Sequence, residues 1–381
     1  MKILHTADWH LGKWLQGISL LDDQRYMLEQ LLLVIDEQQP DVIVMAGDIY
    51  DRAIPPVEAI QLFGEFLHKI VDVRRIPFLA VTGNHDSPGR MQFGSTFMKQ
   101  AGLHLHGDWQ PGNHKVRLED IHGPVDFHLI PYMDPAQVRF RLNKEESMNH
   151  QEAMEQVLES CLPLEEGVRH VFVGHAFVTP YGEPEENTSE AERPLAIGGA
   201  EYVSAQLFQH FHYTALGHLH RAHHCGMEHV RFSGSPMTYA ISEAGTEKGV
   251  LLVELDAAGK THITLHPLPP RRAMRRIEGK LQDVLKHPLS EDYVIVKLLD
   301  EGPILSPMEQ LRTVYPNTLH VERQLVVLGS EAHVPLKERQ QLNERALFTA
   351  FLEEITNEQP NEEMTALFLE AWHHAQQEEE N

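Results

Sequence analysis

Cysteine is nearly absent from this chain. Two residues, Cys161 and Cys225, stand in 381 positions, and neither belongs to a CxxC pair. Isolated thiols argue against a disulfide framework and against a thiolate metal site. Long apolar runs are missing too: none approaches the ~18 residues needed to cross a bilayer, so no membrane span is expected. Positive charge is scarce, with 32 Lys and Arg against 56 Asp and Glu and a formal net charge of −24. At first sight that balance disfavours a nucleic-acid partner. The deficit is uneven, however. Glu183-Pro184-Glu185-Glu186 and Glu378-Glu379-Glu380 are acidic, whereas Arg271, Arg272, Arg275, Arg276 and Lys280 form a basic run. Global charge tunes encounter rates and salt dependence more than it decides what fits a site. Apolar residues make up 42% of the chain, enough for a core and, at roughly 150 residues per domain, for more than one domain. The N-terminal residues run directly into Asp8, which a cleaved leader would remove, so the reading is a mature, cytoplasmic chain of a reducing compartment.

What the chain has is histidine and aspartate in short motifs. They read Asp8-Trp9-His10, Gly47-Asp48, Gly83-Asn84-His85-Asp86, Gly174-His175 and Gly217-His218-Leu219-His220. Each follows an apolar run that reads as a buried strand: Lys2–Thr6, Val42–Ala46, Phe78–Thr82, Val171–Val173 and Tyr213–Leu216. Leu28, Leu31, Leu32 and Ile35 predict a helix face between the first two, and Ile60, Phe63, Leu67 and Ile70 another between the next two. Met154, Val157, Leu158 and Cys161 form a third. Repeated β-α-β implies a largely parallel sheet covered by helices, with ligands at the carboxyl ends of its strands. Val230–Phe232, Gly249–Leu255 and His262–Leu265 are closely spaced and predict antiparallel strands.

Within Asp-x-His, strand alternation would put both side chains on one face, and His218-Leu219-His220 would repeat the arrangement. Two carboxylates, one amide and several imidazoles without sulfur suit a pair of divalent cations, with Mn favoured where oxygens contribute. A pair of such ions is a device for hydrolysing phosphate esters. The remaining histidines are expected to be solvated or to support the ligands. Asp86 reads as a turn or ligand-orienting residue. Arg52 reads equally as a phosphate contact or a surface ion pair.

Beyond His266-Pro267-Leu268-Pro269-Pro270 the pattern changes. Residues 271–330 read as a small α+β segment, with strands at Tyr293–Leu299 and His320–Val327 and a helix around Met308–Val314. Residues 335–381 read as helical. Phe348, Phe351, Leu352 and Ile355 form one apolar face; Met364, Leu367, Phe368 and Ala371 form another, with Asn361 as its N-cap.

In this order the five motifs resemble the calcineurin-like metallophosphoesterase superfamily. Ala7-Asp8-Trp9-His10-Leu11-Gly12, Gly47-Asp48-Ile49-Tyr50-Asp51-Arg52 and Ser233-Gly234-Ser235-Pro236 are most similar to its branch of DNA-nuclease subunits from bacterial nuclease–ATPase complexes. The resemblance covers the first ~265 residues in motif and the whole chain in layout. It implies an α/β fold, a four-layer β-sandwich flanked by helices over residues 1–265, with a small capping domain and a C-terminal helical segment. It also implies that Asp8, His10, Asp48 and His220 hold one metal and Asp48, Asn84, His175 and His218 the other, with Asp48 bridging. His85 would act on the leaving-group oxygen, and Asp51, at the spacing seen in the superfamily's phosphatases, would pair with it. The implied partners are the ATPase subunit, docked through 335–381, and double-stranded DNA ends and hairpins. A homodimer within a heterotetramer is also implied, and Leu62, Phe66 and Ile70 suit either a dimer face or a core. The arginines at 271, 272, 275 and 276 are candidate DNA contacts or, equally, a solvated strand face. The acidic loop 183–192 is expected to be flexible.

Two other functions stay open. One is a phosphatase or phosphodiesterase for a protein or small nucleotide. In protein phosphatases, however, Gly follows the arginine where Ala53 stands here, and Glu replaces Asp86. The other is a non-catalytic scaffold, against which the intact motif set speaks. The residues beyond Pro270 favour the nuclease, because a small-molecule phosphodiesterase has no evident need of them.

Overall fold

Apolar runs of five to eight residues bounded by Gly, Asp or Pro form the strands, and the period-3.6 segments between them form the helices. In this computed structural model, residues 1–112, 114–182, 202–300, 302, 304–323, 348–349, 352, 360–362 and 364–369 are described. The chain divides into two units, Met1–Gln324 and Leu325–Asn381.

In the first unit the main elements are β1 (Lys2–Thr6), α1 (Leu21–Gln38), β2 (Val42–Ala46), α2 (Val57–Leu67), β3 (Phe78–Val81), β4 (Leu103–His106), β5 (Lys115–Asp120), β6 (Gly123–Ile130), α3 (His150–Glu159), β7 (Arg169–His175), β8 (Tyr213–Gly217), β9 (His223–Cys225), β10 (Met227–Phe232), β11 (Gly249–Leu255) and β12 (Thr261–Pro267). They build two six-stranded sheets, in the orders β12-β11-β1-β2-β3-β4 and β9-β10-β8-β7-β6-β5. The single parallel sheet that the β-α-β pattern suggests is therefore two mixed sheets. β1 to β4 run parallel in the first, and β6, β7, β8 and β10 run parallel in the second. The expected antiparallel character holds for β11 and β12, and for β10 on one side only, since its other neighbour β8 runs parallel to it. The short strand β9 makes the tight antiparallel return to β10.

Side-chain alternation decides the layering. Val42, Val44, Leu79 and Val253 of the first sheet meet Val125, Phe127, Val171 and Ala215 of the second in a core between the sheets. The opposite face of the first sheet packs on α1 and α2 through Leu31, Ile35, Phe63 and Phe66. The outer face of the second packs on α3 through Met154, Val157 and Leu158. The result is four layers, helix–sheet–sheet–helix, an α/β sandwich as the resemblance implies. On α2, Ala59, Leu62, Phe63 and Phe66 are buried while Ile60 is 47% exposed, so the apolar face is rotated from the one read in the sequence. Leu62, Phe66 and Ile70 all lie in the core and offer no surface to a second copy.

Three parallel strands, β13 (Met274–Gly279), β14 (Tyr293–Leu298) and β15 (Thr318–Arg323), follow, crossed by α4 (Leu281–Val284) and α5 (Pro307–Arg312). Met274, Tyr293 and Leu319 pack against Leu20 and Tyr239. In the second unit, the Oδ1 of Asn361 accepts from the Met364 N–H at 2.8 Å, the expected N-cap, and the Phe348 and Phe368 rings stack with centroids 4.2 Å apart. The loop 183–192, Phe351, Ile355 and Ala371 lie outside the described residues, as does most of 335–381.

Candidate metal centre

The five motifs leave the carboxyl ends of β1, β2, β3, β7 and β8, on facing edges of the two sheets. Strand order alone thus brings them to one place. Asp8, His10 and His220 put ligand atoms within 4.8 Å of one another, as do Asp8, Asp48 and His175, and all five are buried. His175 Nε2 is 2.9 Å from Asn84 Oδ1 and 3.5 Å from Asp48 Oδ2. His10 Nε2 lies 3.7 Å from the same Asp48 oxygen and His85 Nε2 lies 4.0 Å from it. The rings of His175 and His218 meet edge to face at 5.4 Å. Asp48 is central to this set, and Asp8 is held by the His218 N–H at 2.9 Å.

Strand alternation is not what aims the ligands. β1 ends at Thr6, and Asp8 and His10 have φ of 55° and 44°. Asp48 (53°) and His218 (106°) are also left-handed. Four of the seven expected ligands therefore sit in a conformation that costs L-residues free energy and that concentrates at functional sites. Two glycines are demanded by the crowding: a Cβ on Gly83 would fall 2.1 Å from Asp48 Oδ1, and one on Gly47 would fall 2.3 Å from His175 Nδ1.

Hydrogen bonds fix the tautomers. His175 Nδ1–H donates to the Ala46 carbonyl at 2.9 Å, so its Nε2 presents a lone pair to the Asn84 oxygen. His220 Nδ1–H donates to Glu243 Oε1 at 3.0 Å, so its Nε2 presents a lone pair to His10 Nε2 at 3.1 Å. Two acceptors facing each other at 2.9 Å, as His175 Nε2 and Asn84 Oδ1 do, repel unless a cation lies on them. With nitrogen and oxygen donors only, the set fits divalent ions. Burial, then neighbouring imidazoles, hold the pKa of His10 and His218 well below the ordinary value, and burial lowers that of His175. All three are thereby kept neutral, the state in which imidazole ligates.

The side chains around the ligands lock the loops. Asp86 accepts from the backbone N–H of Gly83, Ile49 and Tyr50, tying the third motif to the second. Burial, then the Asp48 charge, push its pKa up to about 7. Ser235 donates to the Met237 carbonyl and accepts from Lys248 Nζ, which also donates to the His220 carbonyl, so the Ser-Gly-Ser-Pro segment braces the last motif. Burial alone would raise the pKa of Glu243, but His220 and Lys248 pull it down to about 2. Glu243 and Lys248 carry no signal in the sequence, because no spacing rule links them to His220. Gln24 carries none either: it donates to the His10 carbonyl at 2.7 Å and accepts from the Gly12 N–H at 2.8 Å.

His85 is bound differently from the expected dyad. Its Nδ1 is 2.9 Å from the main-chain carbonyl of Asp51, while the Asp51 carboxylate takes Lys13 Nζ at 2.7 Å. Arg52 is exposed and reaches the Asp51 carboxylate at 3.7 Å, the surface ion pair of its two readings. Of the basic run, Arg272 is turned inward: its guanidinium bonds buried Asp23 at 2.6 Å and Glu291 at 3.1 Å. Arg275 and Arg276 are exposed and pair with Asp292 and Glu322. Arg271 is exposed with no carboxylate partner among the described residues.

The chain is similar to known proteins. Residues 1–222 match the family model described as calcineurin-like phosphoesterase, and residues 270–356 match one described as the type 5 capsule protein repressor C-terminal domain. A curated relative from Staphylococcus saprophyticus, the SbcD component of the nuclease SbcCD, is 34% identical over 363 residues, 94% of either chain. Among solved structures, TT1561 of Thermus thermophilus is 14% identical with a TM-score of 0.39, covering 69% of this chain and 98% of its own. The Plasmodium inner-membrane-complex anchor GAP50 is 10% identical with a TM-score of 0.39, covering 88% and 98%. No helix among the described residues is long and apolar enough to cross a membrane. Motif order, ligand convergence and whole-length similarity to a component of the nuclease SbcCD place this chain in the calcineurin-like phosphoesterase family, a family of metal-dependent hydrolases of phosphate esters.

Proposed function

We propose that the chain is a DNA nuclease that hydrolyses phosphodiester bonds with two divalent ions, Mn2+ by preference, and acts beside an SbcC-type ATPase in DNA repair and recombination. The observation that carries the reading is the convergence of imidazole, amide and carboxylate ligand atoms from five motifs around Asp48. Similarity over 94% of a nuclease component supplies the substrate class. Asp8, His10, Asp48 and His220 would hold one ion, and Asp48, Asn84, His175 and His218 the other. Ions held there would supply a water of lowered pKa and offset charge on the phosphoryl oxygens. Glu243 and the Ala46 carbonyl keep the His220 and His175 Nε2 atoms turned inward. His85, fixed through Nδ1 by the Asp51 carbonyl, carries its Nε2 at the rim of the set and delivers a proton to the departing 3′ or 5′ oxygen.

The substrate preference is 3′→5′ on double-stranded ends and endonucleolytic on hairpins and single strands. Arg271, Arg275 and Arg276 are exposed for phosphate contact. The exposed Met364 and Leu367, on the helix capped by Asn361, support docking of the ATPase through 335–381. End-labelled blunt duplex incubated with and without Mn2+, beside a chromogenic phosphodiester, tests the reading. Mn-dependent shortening, reduced about 10²–10⁴-fold in His85→Ala with metal retained, is expected. Turnover of the small ester alone, with the duplex untouched even when an SbcC-type ATPase is added, would move the assignment to a small-molecule phosphodiesterase.

A further inference from the structure

A second group of metal-ligand side chains lies beneath α3, on the outer face of the second sheet. His114 precedes β5, His128 lies on β6, and Cys161 follows α3. All three are buried, at 5%, 2% and 7% exposure, and each offers a ligand atom within 4.8 Å of the other two. None belongs to the phosphoesterase motifs. Lys115 and His128 are register partners, so backbone pairing of β5 and β6 places His114 beside His128, with ring centroids 5.5 Å apart.

The hydrogen bonds leave one nitrogen of His128 with nothing to do. His170 Nε2–H donates to the Glu165 carbonyl at 3.1 Å, so His170 Nδ1 is an acceptor. It accepts from His128 Nε2–H at 3.1 Å. That fixes the His128 tautomer: Nδ1 bears a lone pair, is fully buried and has no hydrogen-bond partner among the described residues. His114 Nδ1 is likewise buried without a partner. Buried ring nitrogens are nearly always satisfied, and two unsatisfied ones beside a buried thiol need an explanation. A chain of the form carbonyl–imidazole–imidazole is also how proteins orient and enrich a metal-ligating nitrogen from behind.

We propose that His114, His128 and Cys161 bind one thiophilic cation of the zinc class, a structural ion that ties the end of α3 to β5 and β6. Thiolate with imidazole selects zinc-like ions over the hard Mg2+ or Ca2+, and the absence of sulfur around Asp48 makes the two sites chemically distinct. Binding replaces the thiol proton, which leaves to solvent, so occupancy falls as pH falls. Without the ion, burial pushes the Cys161 thiol up to about 12 and keeps it protonated and inert.

Co2+ is the probe that separates the sites. The full chain, stripped of metal, is titrated with Co2+ and followed by absorption. The phosphoesterase site, having only nitrogen and oxygen donors, gives d–d bands in the visible. A thiolate–cobalt charge-transfer band in the near ultraviolet can come only from a cysteine. We expect that band to saturate at one Co2+ per chain and to vanish in Cys161→Ala and His128→Gln. The visible bands should remain in both variants, showing that each is folded and still loads the other site. No near-ultraviolet band in the wild type, or a band that survives either substitution unchanged, overturns the site.

Discussion

At the residue scale, the motifs were legible as one converging set and their geometry was not. Asp8, His10 and Asp48 announce themselves by motif, but nothing in Asp-x-His says that both residues adopt left-handed φ rather than strand alternation. The reason is physical: a strand holds side chains two apart on one face roughly parallel, whereas ligands to one ion must converge. Asp51 shows the same limit. Its spacing from Asp48 suggested a carboxylate partner for His85, yet its carbonyl fills that place and its carboxylate faces Lys13. Asp51→Asn keeps the carbonyl. We therefore expect the pH–rate profile of the nuclease to keep its acid and base limbs in this variant, with at most a several-fold change in rate from the lost Lys13 pair. A limb displaced by a full pH unit would return the carboxylate to the role that the spacing implied.

At the element scale, strands read well and their partners read poorly. β1, β2 and β11 fall on the residues that the apolar runs mark, because a strand buried on both faces is a continuous apolar run. Whether two runs pair parallel or antiparallel depends on the connection between them, and β10 joined β8 in parallel because β9 took the hairpin. The helix α2 misread by one position for a similar reason: Ala59 and Phe66, not Ile60, face the first sheet, where Phe66 stacks edge-on to Trp9. The short helical turn Ile241–Glu243 matters most here, because it delivers Glu243 to His220. Glu243→Ala removes the acceptor that fixes the His220 tautomer and leaves buried Lys248 without its carboxylate. Loss of such a ligand-orienting group typically costs 10–100-fold in metal affinity. Titrating activity against Mn2+ should show a half-saturating concentration raised by about that factor, with the plateau largely recovered at high Mn2+. An unchanged metal requirement would mean that Glu243 serves only Lys248.

At the scale of the whole first unit, two buried electrostatic features set stability. Arg272 and the Tyr293 hydroxyl both bond Asp23, a 2%-exposed carboxylate on α1, and so fasten the β13–β15 sheet to the sandwich. Removing one partner of a buried pair leaves the other uncompensated. Tyr293 remains and Arg272 is partly exposed, so Arg272→Met should cost about 2–3 kcal/mol, less than breaking a fully buried pair, read as a lower denaturation midpoint. Adding Asp23→Asn should restore part of the loss. The basic run in the sequence reads equally as DNA contacts or a solvated strand face for all four arginines; burial and its Asp23 bond mark Arg272 as the one that fastens the sheet.

The second feature is the number of histidines held neutral away from the metal centre. His5 is fully buried in β1, and desolvation takes its pKa down to about 3 despite a raising contribution from the Leu216 backbone. Its Nδ1 meets the Tyr213 hydroxyl at 2.8 Å. The unfolded chain, with an ordinary histidine pKa near 6.5, binds a proton in the window where the folded chain does not. The unfolded state then holds more protons, so stability rises with pH across the window from about 3 to 6.5 and is lost as pH falls through it. Between pH 7.5 and 5.5 one such group removes about 1.4 kcal/mol. Comparing urea midpoints of the wild type and His5→Gln at those two pH values isolates the contribution. The variant should be less stable at pH 7.5, because it loses packing against Tyr213, yet its decline on acidification should be shallower by about that amount. Parallel declines would show that His5 keeps its proton on folding, and the acid sensitivity would then fall to the other buried histidines, His106 and His128, with pKa values lowered by burial to about 4 and about 3.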